Sequence, residues 1–223
     1  MRYKNTLNTC QINFSQVPWG LVNEKGLPIN KGNIHIGKTS PPEVRRAYLD
    51  QFANDFTNFL RMRSIELMPN GRLFLTMLSD SHHRHDAYNA LDLLAMTLND
   101  MVIEGLIEET KFDSFNVPLY EPSEQELRHI IEKEGSFKIS HLETIKVLVG
   151  DAFGNHAWSL SRGFRDVYES MIVTYFGDSI VGDFFNRLAK KILENREKIM
   201  KGSGTNLVVS LTKFTIPKDE KCI

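Results

Sequence analysis

"RLFLTML", Arg72 to Leu78, follows a Pro69-Asn70-Gly71 breaker and is apolar at nearly every position. A short continuous apolar run bounded by turn residues reads as a β-strand buried on both faces. Such a strand needs neighbours on both edges and helices above and below. The strands that follow it in sequence can supply one side only. The expected fold is therefore α/β: the later part of a doubly wound sheet whose opening βαβ units lie outside the chain. A poorly supported sheet edge and exposed apolar area should result.

Upstream, "SPPEV" announces a helix, with Ser40 as cap, Pro41 at the first helical position and Glu43 completing a capping box. Val44, Tyr48, Phe52, Phe56, Phe59 and Leu60 recur at steps of three or four, so the helix should run to about Met68. "GNIHI", Gly32 to Ile36, is a candidate fourth strand. Downstream, a polar loop leads to a second helix, about 87–108, striped by Leu91, Leu94, Ala95, Leu98, Met101 and Val102. After a loop over 111–122, Ser123 and Glu126 form a second capping box, and Gly135 ends that short helix. Alternation predicts a strand over 137–148. Helices over 158–176 and 179–200 precede a Gly202-Ser203-Gly204 turn and a closing strand, "NLVVSLTKF".

Composition narrows the class. The 223 residues are 41% hydrophobic and 25% charged, as in a folded domain, and the formal charge of -1 offers no field for nucleic acid or an anionic membrane. No apolar stretch has the length of a membrane span, and the N-terminus lacks a signal-peptide core. Cys10 and Cys222 form neither a metal motif nor a disulfide framework, which fits a cytoplasmic location.

The loop "KFDSFNVPLYEPSEQE", 111–126, holds the most pointed chemistry. Asp113, Asn116 and a main-chain carbonyl could give a hard cation two or three oxygens. On the residues alone, an Asx-type turn with Phe115 as a packing anchor is the favoured reading over the cation. His82, His83 and His85 in "HHRH" lack zinc spacing and fit a solvated loop. "GSGTNL" runs helix-to-strand, the wrong order for a phosphate cradle. His35, His129, His141 and His156 have no nucleophile beside them, so a generic α/β hydrolase fares badly.

"SQVPWGL", "INKGNIHI" with "SPPEVRRAYLDQFANDF", "MVIEGLIEETKFDSFNVPLYEPS" and "EKEGSFKISHLE" together resemble the plant SABATH methyltransferases, with weaker echoes in "YFGDSIVGDFFNRLAKK" and "NLVVSL". The resemblance spans about Ser15 to Phe214 and is closest in spacing to the caffeine-synthase-like members. It implies S-adenosylmethionine-dependent methylation of a small-molecule carboxylic acid or a xanthine nitrogen, with relatives that commonly pair as homodimers. It also implies a magnesium ion held by Asn30, Asp113, the carbonyl of Phe115 and Asn116. The implied substrate wall is Leu91, Asp92, Tyr120, Phe164 and Val167.

The family's cofactor glycines and ribose-binding acid have no match here. The resemblance therefore implies a Rossmann-like methyltransferase sheet without its N-terminal cofactor-binding half, plus an α-helical cap. Residues 1–14 read as an atypical segment, with Ile12 and Asn13 standing where a substrate-gripping pair is expected. Residues 15–82, 136–150 and 203–216 would form the partial core, and 83–135 with 151–202 the cap. The chain is expected to be inactive alone. The alternative is a non-catalytic remnant that binds small acids or pairs with a full-length relative.

Overall fold

In the computed structural model the described residues are 21–79, 90–152 and 157–214. The 1–14 segment, the "HHRH" histidines, His156 and both cysteines lie outside them. Helix α1 (Pro42–Glu66) leads to β1 (Arg72–Ser79), α2 (Ala90–Ile103), α3 (Glu109–Ser114), α4 (Glu124–Glu134) and β2 (Phe137–Leu148). Then come α5 (Val149–Ala152), α6 (Ala157–Phe176), a single 3-10 turn, α7 (Val181–Glu194), α8 (Arg196–Lys201) and β3 (Ser203–Lys213). The sheet order is β1-β3-β2. Both outer strands run antiparallel to β3, and so parallel to one another.

Two apolar clusters organise these elements. The sheet-side cluster joins Val44, Tyr48, Phe52, Phe56 and Leu60 of α1 to Leu75, Leu207, Val209, Leu211 and Phe137 of the strands. Leu127, Ile130 and Ile131 of α4 pack there too, although their sequence position groups them with the cap. The cap-side cluster joins α2, α6 and α7 through Leu94, Leu98, Phe164, Ile172, Phe184 and Leu188. Ion pairs lace the cap's outer face: Arg187 meets Glu104 at 2.7 Å and Lys191 meets Asp100 at 2.7 Å. Glu104 is held below the usual carboxylate range by its hydrogen bond to Arg187.

Three expectations are corrected. The Ser40 capping box does not form: α1 begins behind Pro41 with no side-chain cap, because the Ser40 hydroxyl is engaged with Asn30 and Gly37. "GNIHI" is a series of bends rather than a strand. And β1 is not covered on both faces. Leu75 is buried, but Phe74 and Leu78, on the opposite face, are 50% and 46% exposed. Among the described residues β1 pairs with β3 on one side and with no other strand. The Ser123–Glu126 box and the left-handed Gly135 cap (φ 82°) both form.

Candidate functional site

The segment 115–120 crosses between the two clusters. Phe115 and Val117 are buried in the cap and Tyr120 in the sheet core. Phe115 wedges between Tyr175 and Phe176 of α6, ring centroids 5.0 and 4.9 Å away. The segment is held in place by the loop preceding α1. Val117 donates its N–H to the Ile34 carbonyl (2.6 Å) and accepts from the Tyr48 hydroxyl (2.9 Å). Burial pushes that hydroxyl well above the ordinary tyrosine range, so it stays a neutral donor.

Asn30 is the hub. It is fully buried, and its Nδ2 donates to Asn116 Oδ1 (2.7 Å) and to the His35 carbonyl (3.1 Å). Its Oδ1 accepts from the Ser40 hydroxyl (2.7 Å). Gly32, at φ 74°, adopts a turn closed to most side chains and donates its N–H to Asp113 Oδ1 (3.0 Å). Lys31 Nζ stands 4.0 Å from the other carboxylate oxygen. The loop before α1 is thereby clasped to the end of α3 and the segment after it, more than eighty residues away, through amide, carboxylate and hydroxyl groups.

Asn30, Asp113 and Asn116 are thus brought together, with Phe115 beside them. As a donor set for a cation the cluster is all hard oxygen, which suits magnesium or calcium with water completing the shell. It contains one carboxylate, and no group of three His, Cys, Asp or Glu forms anywhere among the described residues. The oxygens already have protein partners, so an ion would have to replace the Asn30–Asn116 bond by turning the Asn30 amide. The residues fit such an ion in kind.

The expected substrate wall divides. Leu91 and Phe164 share the cap cluster, and Phe164 stacks on Tyr168 with centroids 6.0 Å apart. Asp92 Oδ1 lies 3.2 Å from His35 Nε2, joining α2 to the Asn30 loop. Val167 is one helical turn from Phe164 and 63% exposed. Tyr120 belongs to the other cluster, beside Phe52 (5.3 Å) and donating to Glu126 Oε1 (2.9 Å). Sequence reasoning missed His35, Ser40, Tyr48 and Tyr168 as members of this region. His35 Nδ1 is buried with no hydrogen-bond partner among the described residues. Burial, with the Glu121 carboxylate second, pushes the Tyr168 hydroxyl up to about 12. The partners of His35, Ser40 and Tyr48 here, Asp92, Asn30 and Val117, are ones that no helix or strand periodicity links to them.

Comparison with known proteins decides the lineage. The family profile described as SAM dependent carboxyl methyltransferase matches residues 7–214. The chain belongs to this family. It is 43% identical over 220 residues to probable caffeine synthase 3 of Coffea arabica and 44% identical over 214 to 7-methylxanthine methyltransferase 1 of Coffea canephora. Each alignment takes in 89% of this chain but 56% and 55% of the relative, so this methyltransferase homologue spans little more than half their length. A solved loganic acid methyltransferase with SAH superposes with a TM-score of 0.78 at 27% identity, over 90% of this chain and 58% of that one.

A site for the family's methyl donor is not recognisable among the described residues. A nucleotide cradle needs a glycine-rich turn between a strand and a helix. The connection from β1 to α2, residues 80–89, contains no glycine. The turn at 202–204 instead enters the ladder, with Ser203 opposite Leu148 and Gly204 opposite Val147. Neither of these two connections fits the donor.

Proposed function

We propose that this chain is the substrate-side portion of an S-adenosylmethionine-dependent methyltransferase for a small carboxylic acid or a xanthine nitrogen, inactive until a donor-binding portion joins it. The observation that carries the reading is the Asn30–Asn116–Asp113 clasp. It fixes the cap on the sheet beside the His35–Asp92 contact, where α2 presents Leu91 and Asp92. Leu91, Asp92 and Phe164 are the proposed pocket wall, with Val167 at the rim and Tyr120 as the anchor of the connecting segment. The names of the relatives, methylxanthine enzymes and a loganic acid enzyme, favour these two substrate classes.

The methyl group would come, on a sulfonium, from S-adenosylmethionine held outside the residues described. A substrate carboxylate, with a pKa near ~4, is already ionised at neutral pH and needs no general base. The cap's task is then alignment and exclusion of water, for which effective molarity is worth up to roughly 7–11 kcal/mol. We further propose that magnesium takes the clasp through Asn30, Asp113, the Phe115 carbonyl and Asn116, rigidifying the hinge between cap and sheet. A cytoplasmic setting and pairing with a second copy complete the proposal. The hard-oxygen donor set supports the ion. No helix among the described residues is long and apolar enough to cross a membrane.

The test is a chimaera. The part of 7-methylxanthine methyltransferase 1 that this chain does not cover is fused ahead of residues 15–214, and the product is offered labelled S-adenosylmethionine with panels of small acids and xanthines. Transfer to either class supports the reading. A chimaera that binds S-adenosylhomocysteine yet methylates neither class overturns it, leaving the acid-binding or pairing remnant.

A further inference from the structure

The turn that joins α1 to β1 reads Pro69-Asn70-Gly71 and holds the sequence's single Asn-Gly pair. Asn70, at φ 62°, is the one residue other than glycine in the left-handed region among the described residues. Asparagine tolerates that conformation better than most side chains, and turns are where it does so. Asn70 is exposed and Gly71 partly buried. The position after Asn70 admits little but glycine, because a Cβ there would stand 2.7 Å from the Met68 carbonyl oxygen. Asparagine is thus followed by the residue whose main-chain nitrogen is least shielded. The same turn ties α1 to the sheet. Lys213 donates its N–H to the Gly71 carbonyl (2.9 Å), and Asn70 donates its N–H to the Lys213 carbonyl (3.3 Å). Lys213 Nζ reaches the Leu67 carbonyl at 2.8 Å, and the β1–β3 ladder begins beside it with Arg72 opposite Thr212.

We propose that Asn70 is a site of spontaneous deamidation and isomerisation, and that isomerisation there loosens the tie between α1 and β3. Asparagine amides are chemically labile. The Gly71 nitrogen gives up its proton and attacks the Asn70 Cγ. A C–N bond forms, the Cγ–Nδ2 bond breaks, and the side-chain nitrogen leaves as ammonia with that proton. Water then opens the cyclic imide at one carbonyl or the other. One opening leaves aspartate, which keeps the main-chain spacing and both bonds to Lys213. The other leaves isoaspartate, whose main chain runs through the side-chain carbons and is one methylene longer. That extra length falls between the Asn70 N–H and the Gly71 carbonyl, the two groups that Lys213 holds in register. The Gly71 N–H donates to the Met68 carbonyl at 2.8 Å, so this bond must open before the nitrogen can attack. The folded turn therefore reacts more slowly than the same sequence in a free peptide. None of this depends on the methyltransferase reading.

The experiment ages the purified full chain in mildly alkaline buffer and follows it by peptide mapping and mass spectrometry. The expected result is a one-dalton gain in the peptide that contains Asn70, resolved into aspartate and isoaspartate. It should appear severalfold faster than at any other asparagine, and severalfold more slowly than in a synthetic peptide of residues 66–75. Asn70→Gly keeps the left-handed turn without the amide, so it should fold with an unchanged melting temperature and show no gain. Amide exchange at Lys213 should accelerate in the isoaspartate fraction and stay unchanged in Asn70→Asp. An Asn70 peptide that gains mass no faster than the other asparagine peptides would overturn the proposal. Isoaspartate that accumulates at this position while Lys213 exchange stays unchanged would overturn its consequence for the sheet.

Discussion

Asn30→Ala is the most discriminating perturbation of the clasp. The side chain is fully buried and makes three hydrogen bonds. Its loss strands Asn116 Oδ1 in a buried position, at a cost of about 1–3 kcal/mol. The bond to the His35 carbonyl is partly replaceable, because the Ser40 hydroxyl already lies 3.4 Å from that oxygen, so about 0.5–1.5 kcal/mol is added. Together these give about 1.5–4.5 kcal/mol, a large share of the roughly 5–15 kcal/mol that holds a domain folded. Urea unfolding should show a lower midpoint with an unchanged slope, and the melting temperature should fall by about 3–18 °C. Asn33→Ala is the control. It lies in the same loop and has the same chemistry, but its bonds to Lys31 and Thr39 are exposed, so about 1 kcal/mol or less is expected. Equal losses for the two variants would refute the hub assignment.

Magnesium at a hundred times its Kd should stabilise the chain by about 2.7 kcal/mol, or roughly 5–11 °C in a melting scan. Asp113→Ala should abolish that rise, and no rise in the unmutated chain would dispose of the ion. Glu126 supplies a pH test. Burial raises its pKa, but bonds from the Ser123 backbone, Tyr120 and the Ser123 hydroxyl, with the Arg45 charge, outweigh this and leave it lowered from 4.5. A depressed folded pKa gives stability that is complete above 4.5 and lost as pH falls through the folded value. Urea midpoints measured downward from pH 6 should therefore fall less steeply in Glu126→Gln. Ser123→Ala should cost about 0.5–2 kcal/mol by uncapping α4, with amide exchange accelerated in that helix's first turn.

Much of the scaffold was legible because its signals are local. The α1 stripe, the Ser123 box, the Gly135 stop and the alternation in β2 each depend on residues a few positions apart. Where reading failed, a distant partner had won. Ser40 has the form of a cap, yet its hydroxyl serves Asn30, ten residues back, and helix α1 starts without it. Tyr120 packs on Phe52, 68 residues back, a contact that no local pattern marks. The apolar run of β1 announces a strand, but among the described residues only its Leu75 face is covered. The cluster of Asn30, Asp113 and Asn116 came from family resemblance rather than spacing, since no periodicity links positions 30 and 116.

On the proposed function, this chain carries the acceptor side of a methyltransferase without its donor site. Calorimetric titration of the purified chain with S-adenosylmethionine should then give no heat of binding at micromolar concentrations. A saturable micromolar isotherm with one site per chain would overturn that reading.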